Sequence, residues 1–276
     1  MPLHSDPLST AGSMNPLQHW SLSHWPFTAA AAGELPFAGT PQRQATADLN
    51  CWLGGRSQAA LLVADSGCGT STWLRWWAGS SGFGRQAIQA VVSQGPAASP
   101  RSAWSRLAIA WGLDPLADAS PPRLDDTVQQ IAGSGILPLW LIDRADPVTT
   151  DLAGDLITRN GSLRVVLAVT PARAAETATR LGRPARRFAL PPLNLEDTAD
   201  FLRQGLVAAG GRPDLFEPAA IARLHDRSDG RFKLLVELAQ QALIEAARAG
   251  AQSITVAAVE TAADERTRAD EPVKAA

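Results

Sequence analysis

Residues Ala59–Thr72, AALLVADSGCGTST, decide how this chain is read. Ala59–Ala64 is a short apolar run of the length expected of a buried parallel strand. It leads directly into a loop containing Gly67 and Gly69, and a helical pattern then begins near Thr70 and continues through Trp77. Strand, glycine loop and helix in that order make a place for an anion, because loop amides and the helix dipole both favour negative charge. A phosphate-binding loop has the pattern G-x-x-x-x-G-K-[ST], in which the lysine neutralises the β and γ groups and the hydroxyl holds Mg²⁺. In this register Gly67, Gly69, Ser71 and Thr72 match, Ala64 stands at the first glycine and Thr70 at the lysine. On these residues alone, a plain tight turn is an equal reading.

Outward from the loop, apolar segments recur at Ala87–Val92, Leu137–Ile142, Arg164–Val169 and Arg187–Leu190, separated by helical or turn-rich stretches. Strand alternating with helix predicts an α/β fold with a parallel sheet. Upstream, Thr40–Leu53 is predicted as a helix, with Thr40 as cap, Pro41 in the first turn, and Ala45, Leu49 and Trp52 at helical spacing. After Pro191-Pro192 the pattern changes: Leu195–Ala209, Pro218–Arg227, Phe232–Arg248 and Thr255–Asp264 all read as helices. The expected organisation is a flexible arm over residues 1–24, a core over 25–192, a helical subdomain over 193–265 and a frayed tail over 266–276.

Composition narrows the function classes. With 25 basic and 27 acidic side chains the formal net charge is −2, which argues against a general binder of nucleic-acid backbone. No apolar run reaches the roughly 18 residues that span a bilayer, and the start lacks signal-peptide order, so a cytoplasmic location is expected. Cys51 and Cys68 are too few for a disulfide framework and, with His4, His19, His24 and His225, are not spaced as metal ligands. Trp73, Trp76 and Trp77 sit at i, i+3, i+4, and Trp104 and Trp111 at i, i+7; both sets are expected to pack in the core, with one of the first three open to a subunit contact. Cys68, at a helix N-terminus, is read as a loop filler ahead of an oxidisable thiol. Asp125 and Asp126 are expected to open a helix, without a catalytic role.

The loop has companions. Trp25-Pro26-Phe27, Leu35-Pro36-Phe37, Thr40-Pro41-Gln42-Arg43-Gln44-Ala45 and Leu139-Trp140-Leu141-Ile142-Asp143-Arg144-Ala145-Asp146, taken with the loop, resemble the ExeA/GspA-type AAA+ ATPases. In the C-terminal part, Leu190-Pro191-Pro192-Leu193, Asp197–Leu202 and Ser228-Asp229-Gly230-Arg231-Phe232-Lys233 look like that family's lid, and the likeness spans roughly Trp25 to Glu265. The resemblance implies a three-layer αβα core with a five-stranded parallel sheet, a C-terminal helical lid, and ATP or ADP with Mg²⁺. It assigns nucleotide contacts to Gly67, Cys68, Gly69, Thr70, Ser71, Thr72 and Lys233, and Mg²⁺ to Ser71 and Asp143.

Three positions depart from the family. Thr70 replaces the Walker A lysine, removing a charge-assisted contact of about 1.5–3 kcal/mol. Arg144 replaces the Walker B glutamate, and an arginine stays protonated and cannot act as a base. Lys233 stands for the sensor-2 arginine, keeping the charge but losing the planar fork. Asp65 would repel an incoming phosphate if it faced inward. Arg75 is a candidate substitute cation and equally a solvated helix-face arginine; Arg183 is a candidate arginine finger in trans and equally a solvated charge; Thr170 falls near sensor 1 and equally ends a strand. The expectation is a pseudo-ATPase that binds ATP weakly or not at all and assembles with an active AAA+ paralogue, in homo- or hetero-oligomers, in the setting of secretion-machinery assembly. The alternatives are an active ATPase with a substitute cation and a DNA-transposition accessory module. An envelope role is expected to come through a partner, since longer family members carry membrane or cell-wall parts that have no counterpart in this sequence.

Overall fold

The computed structural model describes residues 15–28, 36–79, 82–83 and 86–270. Leu35, the arm before residue 15 and the tail beyond residue 270 lie outside the described residues. The chain divides into two compact units: a sheet unit of residues 29–193 with Arg231–Lys233, and a helical unit of residues 1–28, 194–230 and 234–276.

In the sheet unit the helix α2 (Thr40–Leu53) follows the short helix α1 (Pro16–His19) of the other unit and precedes β1 (Ala59–Val63) and α3 (Thr70–Gly79). Then come β2 (Gly82–Phe83), β3 (Gln86–Gln94), α4 (Pro100–Ala110), α5 (Pro121–Gly133), β4 (Leu137–Asp143), α6 (Pro147–Arg159), β5 (Arg164–Val169), α7 (Pro171–Arg180) and β6 (Ala185–Ala189). The strand order is β2-β3-β4-β5-β1-β6. Five strands are parallel, as the alternating pattern predicts; the sixth, β2, is a two-residue antiparallel addition that no hydrophobic run marks. Thr40 turns out to be the first helical residue of α2, with Gly39 in the capping position, and Pro41 completes the first turn.

The period of two along the strands sorts the core into two layers. Leu61, Trp140, Ile142, Val165 and Leu167 face one layer with Leu107 of α4, Leu124 of α5, and Leu152 and Leu156 of α6. Ala60, Leu62, Leu139, Leu141 and Val166 face the other with Leu49 of α2 and Trp73, Leu74 and Trp77 of α3. Burial of each such leucine or tryptophan contributes about 1.5–3 kcal/mol against solvent exposure. Trp73 and Trp77 are core residues, while Trp76 is half-buried and meets Trp73 edge-on at 4.8 Å. Trp104 and Trp111 pack on the first layer, as their spacing suggests.

The helical unit contains α8 (Leu195–Ala208), α9 (Pro218–Ser228), most of α10 (Phe232–Arg248) and α11 (Val256–Asp270). Helix α11 runs past the expected start of the frayed tail at Arg266, because Ala262–Asp270 contains neither proline nor glycine and Gln241 donates to Glu265 at 2.6 Å. Residues 15–28 correct the reading of a free arm. Trp20, Leu22 and Phe27 are buried, and the Trp20 indole donates to the carbonyl of Leu243 at 2.9 Å. Gln240 donates to the carbonyl of Pro26, and Phe27 lies 5.5 Å from Phe201 between ring centroids. Trp25-Pro26-Phe27, expected to open the core, therefore belongs to the helical unit.

Candidate functional site

The carboxyl end of β1 sits between β5 and β6, where a parallel sheet concentrates loops that can hold ligands. Ala64 donates its N–H to the carbonyl of Val169, so the chain leaves β1 still tied to the sheet. Gly67 and Gly69 then adopt φ of 90° and 85°, values that side-chain-bearing residues rarely take, and α3 starts at Thr70. The glycine loop is thus a loop of positive-φ residues closed by a helix N-terminus, an arrangement that directs amides toward an anion.

Ser71 Oγ donates to Asp143 Oδ2 at 2.7 Å. Asp143, the last residue of β4, is 2% exposed, and its Oδ1 has no hydrogen-bond partner. A buried carboxylate oxygen without a partner beside a hydroxyl is the donor chemistry a hard divalent cation uses, so Ser71 and Asp143 fit Mg²⁺. Thr70 does not fit the role of a phosphate-neutralising residue, since a hydroxyl carries no charge.

The segment Arg231–Lys233 supplies the other wall. The Lys233 N–H donates to the carbonyl of Gly67 at 3.1 Å, and a Cβ built on Gly67 would stand 3.4 Å from that of Lys233. Phe232 covers Gly69, 3.3 Å from where its Cβ would be, and meets the Phe37 ring at 6.2 Å. Cys68 is 1% exposed. Burial pushes its thiol pKa up, Asp65 adds to the rise, and the positive charge of Arg231 opposes it. Cys68 is therefore a protonated filler, and Arg231 is a cation near the loop that sequence reasoning passed over in favour of Arg75. Arg75 itself is exposed on α3. The arginine had a faint signal in sequence, its position two residues before Lys233.

The other candidates lie apart. Arg144 is exposed at φ 51°, just past β4, and does not join Ser71 and Asp143. Arg183 donates to Gln58 Oε1 at 2.9 Å, next to the amino ends of β1 and β6 and hence at the sheet edge opposite the loop. Thr170 is the exposed N-cap residue of α7. Asp125 sits inside α5, where it pairs with Arg159 and Asn160. Gln42 in α2 is fully buried with both carboxamide atoms unpartnered, beside Gly39, where a Cβ would come within 2.9 Å of its oxygen. Nothing in the sequence distinguished it from its polar neighbours.

No protein-family model matches the sequence, and no curated protein does. Solved structures do. Drosophila ORC bound to DNA superposes with a TM-score of 0.61 at 16% identity, covering 97% of this chain and 70% of that one. Aeropyrum pernix ORC2 in its ADPNP-ADP complexes gives 0.60 at 16% identity, covering 89% and 72%. The Thermotoga maritima RuvB Holliday junction branch migration motor gives 0.55 at 14% identity, covering 83% and 70%. The fold is that of the AAA+ P-loop ATPases. Among the described residues, no helix is long and apolar enough to cross a membrane.

Proposed function

We propose that this chain is a degenerate AAA+ subunit of the ExeA/GspA type, a pseudo-ATPase that works by assembly with an active AAA+ partner. The observation that carries the reading is the Walker A loop: its backbone form is kept, with Gly67 and Gly69 at positive φ and Ser71 on Asp143, while the charge is absent at Thr70. If nucleotide enters, the loop amides and the N-terminus of α3 orient its phosphates, and Ser71 with Asp143 holds Mg²⁺, which would supply charge neutralisation. Arg144 takes no proton from water, so hydrolysis lacks its base. Arg183, hydrogen-bonded to Gln58, is a pre-positioned cation for a neighbouring subunit's site. Secretion-machinery assembly, in the cytoplasm, is the setting this reading takes from the family it resembles.

Titration calorimetry of ATP and ADP with Mg²⁺, on this chain beside Thr70→Lys, tests the proposal. Weak or absent binding that improves about tenfold or more in the variant supports it, as expected for one charge-assisted contact. Tight binding and turnover by the unaltered chain overturn it. A second reading, an active ATPase with a substitute cation, is favoured by the charge of Arg231 against Cys68. It predicts Mg²⁺-dependent hydrolysis that both Arg231→Ala and Asp143→Ala remove. A transposition accessory role requires DNA binding, which a gel-shift assay at low salt would reveal.

A further inference from the structure

On the sheet unit, a cleft of about 460 Å³ opens at the carboxyl ends of β3 and β4, lined among others by Gln94, Pro96, Arg106, Ile109 and Arg144. Its floor is fixed by backbone contact. Gly95 donates to the carbonyl of Asp143 at 2.8 Å, and a Cβ on Gly95 would meet the Arg144 carbonyl oxygen at 2.3 Å, so only glycine fits. Arg144, at φ 51°, is held in a conformation that disfavours any residue with a side chain. From the opposite wall, Arg106 Nη1 donates to the carbonyls of Gln94 and Pro96, both at 2.6 Å, which anchors its guanidinium at the cleft.

Arg106 and Arg144 thus line one cleft whose lining contains no acidic residue, and Arg144 has no ion pair or hydrogen bond among the described residues. The apolar side of the same region is equally uncovered. In the sheet unit, the large hydrophobic side chains left exposed among the described residues are Ile109, at 59%, and Leu116, at 85%. Ser105, one turn before Ile109 on α4, donates to the carbonyl of Pro115 and so ties the loop bearing Leu116 to that helix. Arginines with no acidic residue in the cleft to balance them, beside exposed aliphatic side chains, are the composition of a docking surface.

We infer that this face docks a segment of a partner protein carrying an acidic side chain next to an aliphatic one. The acid meets Arg144 and Arg106, and the aliphatic side chain covers Ile109 and Leu116. A phosphate group alone would leave both aliphatics in water, and a nucleic-acid backbone would call for a longer run of cations than this lining offers. The inference stands whether or not the Walker A loop holds nucleotide, since the probe below contains none.

The test is fluorescence anisotropy on the full chain with a labelled peptide of about ten residues alternating glutamate and leucine, long enough to lie across the cleft. Binding is expected to weaken by about tenfold or more in Arg144→Glu and in Ile109→Ser, and to weaken similarly when glutamine replaces glutamate in the probe. Arg144→Glu is expected instead to gain affinity for a lysine–leucine peptide. Arg75→Glu, an exposed arginine on α3, should leave binding unchanged, and equal thermal midpoints show that the variants fold. Absence of binding, or equal affinity in Arg144→Glu, overturns the inference. So does displacement of the peptide by inorganic phosphate or a mixed-sequence DNA strand with no effect of Ile109→Ser, which would make the cleft a simple phosphate site.

Discussion

The sheet unit and the helical unit bury their aromatic residues in different ways. In the sheet unit, Trp73 and Trp77 stand on the helix that follows the glycine loop and pack against strands of their own unit at helical spacing. In the helical unit, part of the core is supplied by Trp20, Leu22 and Phe27, from a segment far upstream of α8, with hydrogen bonds to carbonyls of Leu243, Ala209 and Ala251 fixing its path. A core built within regular elements announces itself as periodicity. One completed by an irregular distant segment does not, because the segment's own pattern carries no period.

Substitutions test that contrast. Trp77→Ala should be the most costly, about 3–5 kcal/mol, since a fully buried indole leaves a cavity between α3 and the sheet; chemical denaturation reads it. Trp20→Ala should cost somewhat less, about 3 kcal/mol, and hydrogen exchange should rise in α10 while sheet amides stay protected. Unchanged exchange in α10 would mean that residues 15–28 are an arm after all. Gly205→Ala sharpens the same point: its Cβ would come within 2.4 Å of the Phe27 ring, so a loss of about 1–3 kcal/mol is expected from a single methyl group.

A smaller effect belongs to Asp146, the N-cap of α6, which accepts hydrogen bonds from Thr149 and from the Ala97 N–H. Burial pushes its pKa up, but the Thr149 and Ala97 bonds outweigh that and hold it below the usual aspartate value. Because the folded value lies below the unfolded one, its stabilisation is complete above about pH 4 and disappears as pH falls through the folded value. Asp146→Asn should cost about 1 kcal/mol near neutral pH and flatten that acid limb in a series of thermal melts. Smallest of all, Gln42→Leu should lie within about 1 kcal/mol of the parent in either direction, because an amide with no partner offsets the packing it provides.

The parallel strands were legible because strands buried on both faces read as apolar runs; Arg164–Val169 falls where its run does, and Phe232–Arg248 likewise as a helix. The two-residue β2 had no such signal, being too short for any period. At the site, Ser71 and Asp143 were both marked in the sequence, and a hydrogen bond joins them because the glycine loop and β4 end at one edge of a parallel sheet. Arg231 and Gln42 were missed for a shared reason: their importance comes from what surrounds them, and neither fits a spacing rule.

Sequence alone determined the class of fold and the location of the glycine loop, with Thr70 just after it and Arg144 just after β4, because these depend on local residue type and on periods of two and 3.6. Only the tertiary structure decided that Trp20 and Phe27 complete the helical core, that Arg231–Lys233 line the loop, and that Arg144 stands at a cleft with Arg106 and Ile109. Those are contacts between residues far apart in the chain, and they come into being when burial brings separate segments to the same few ångströms.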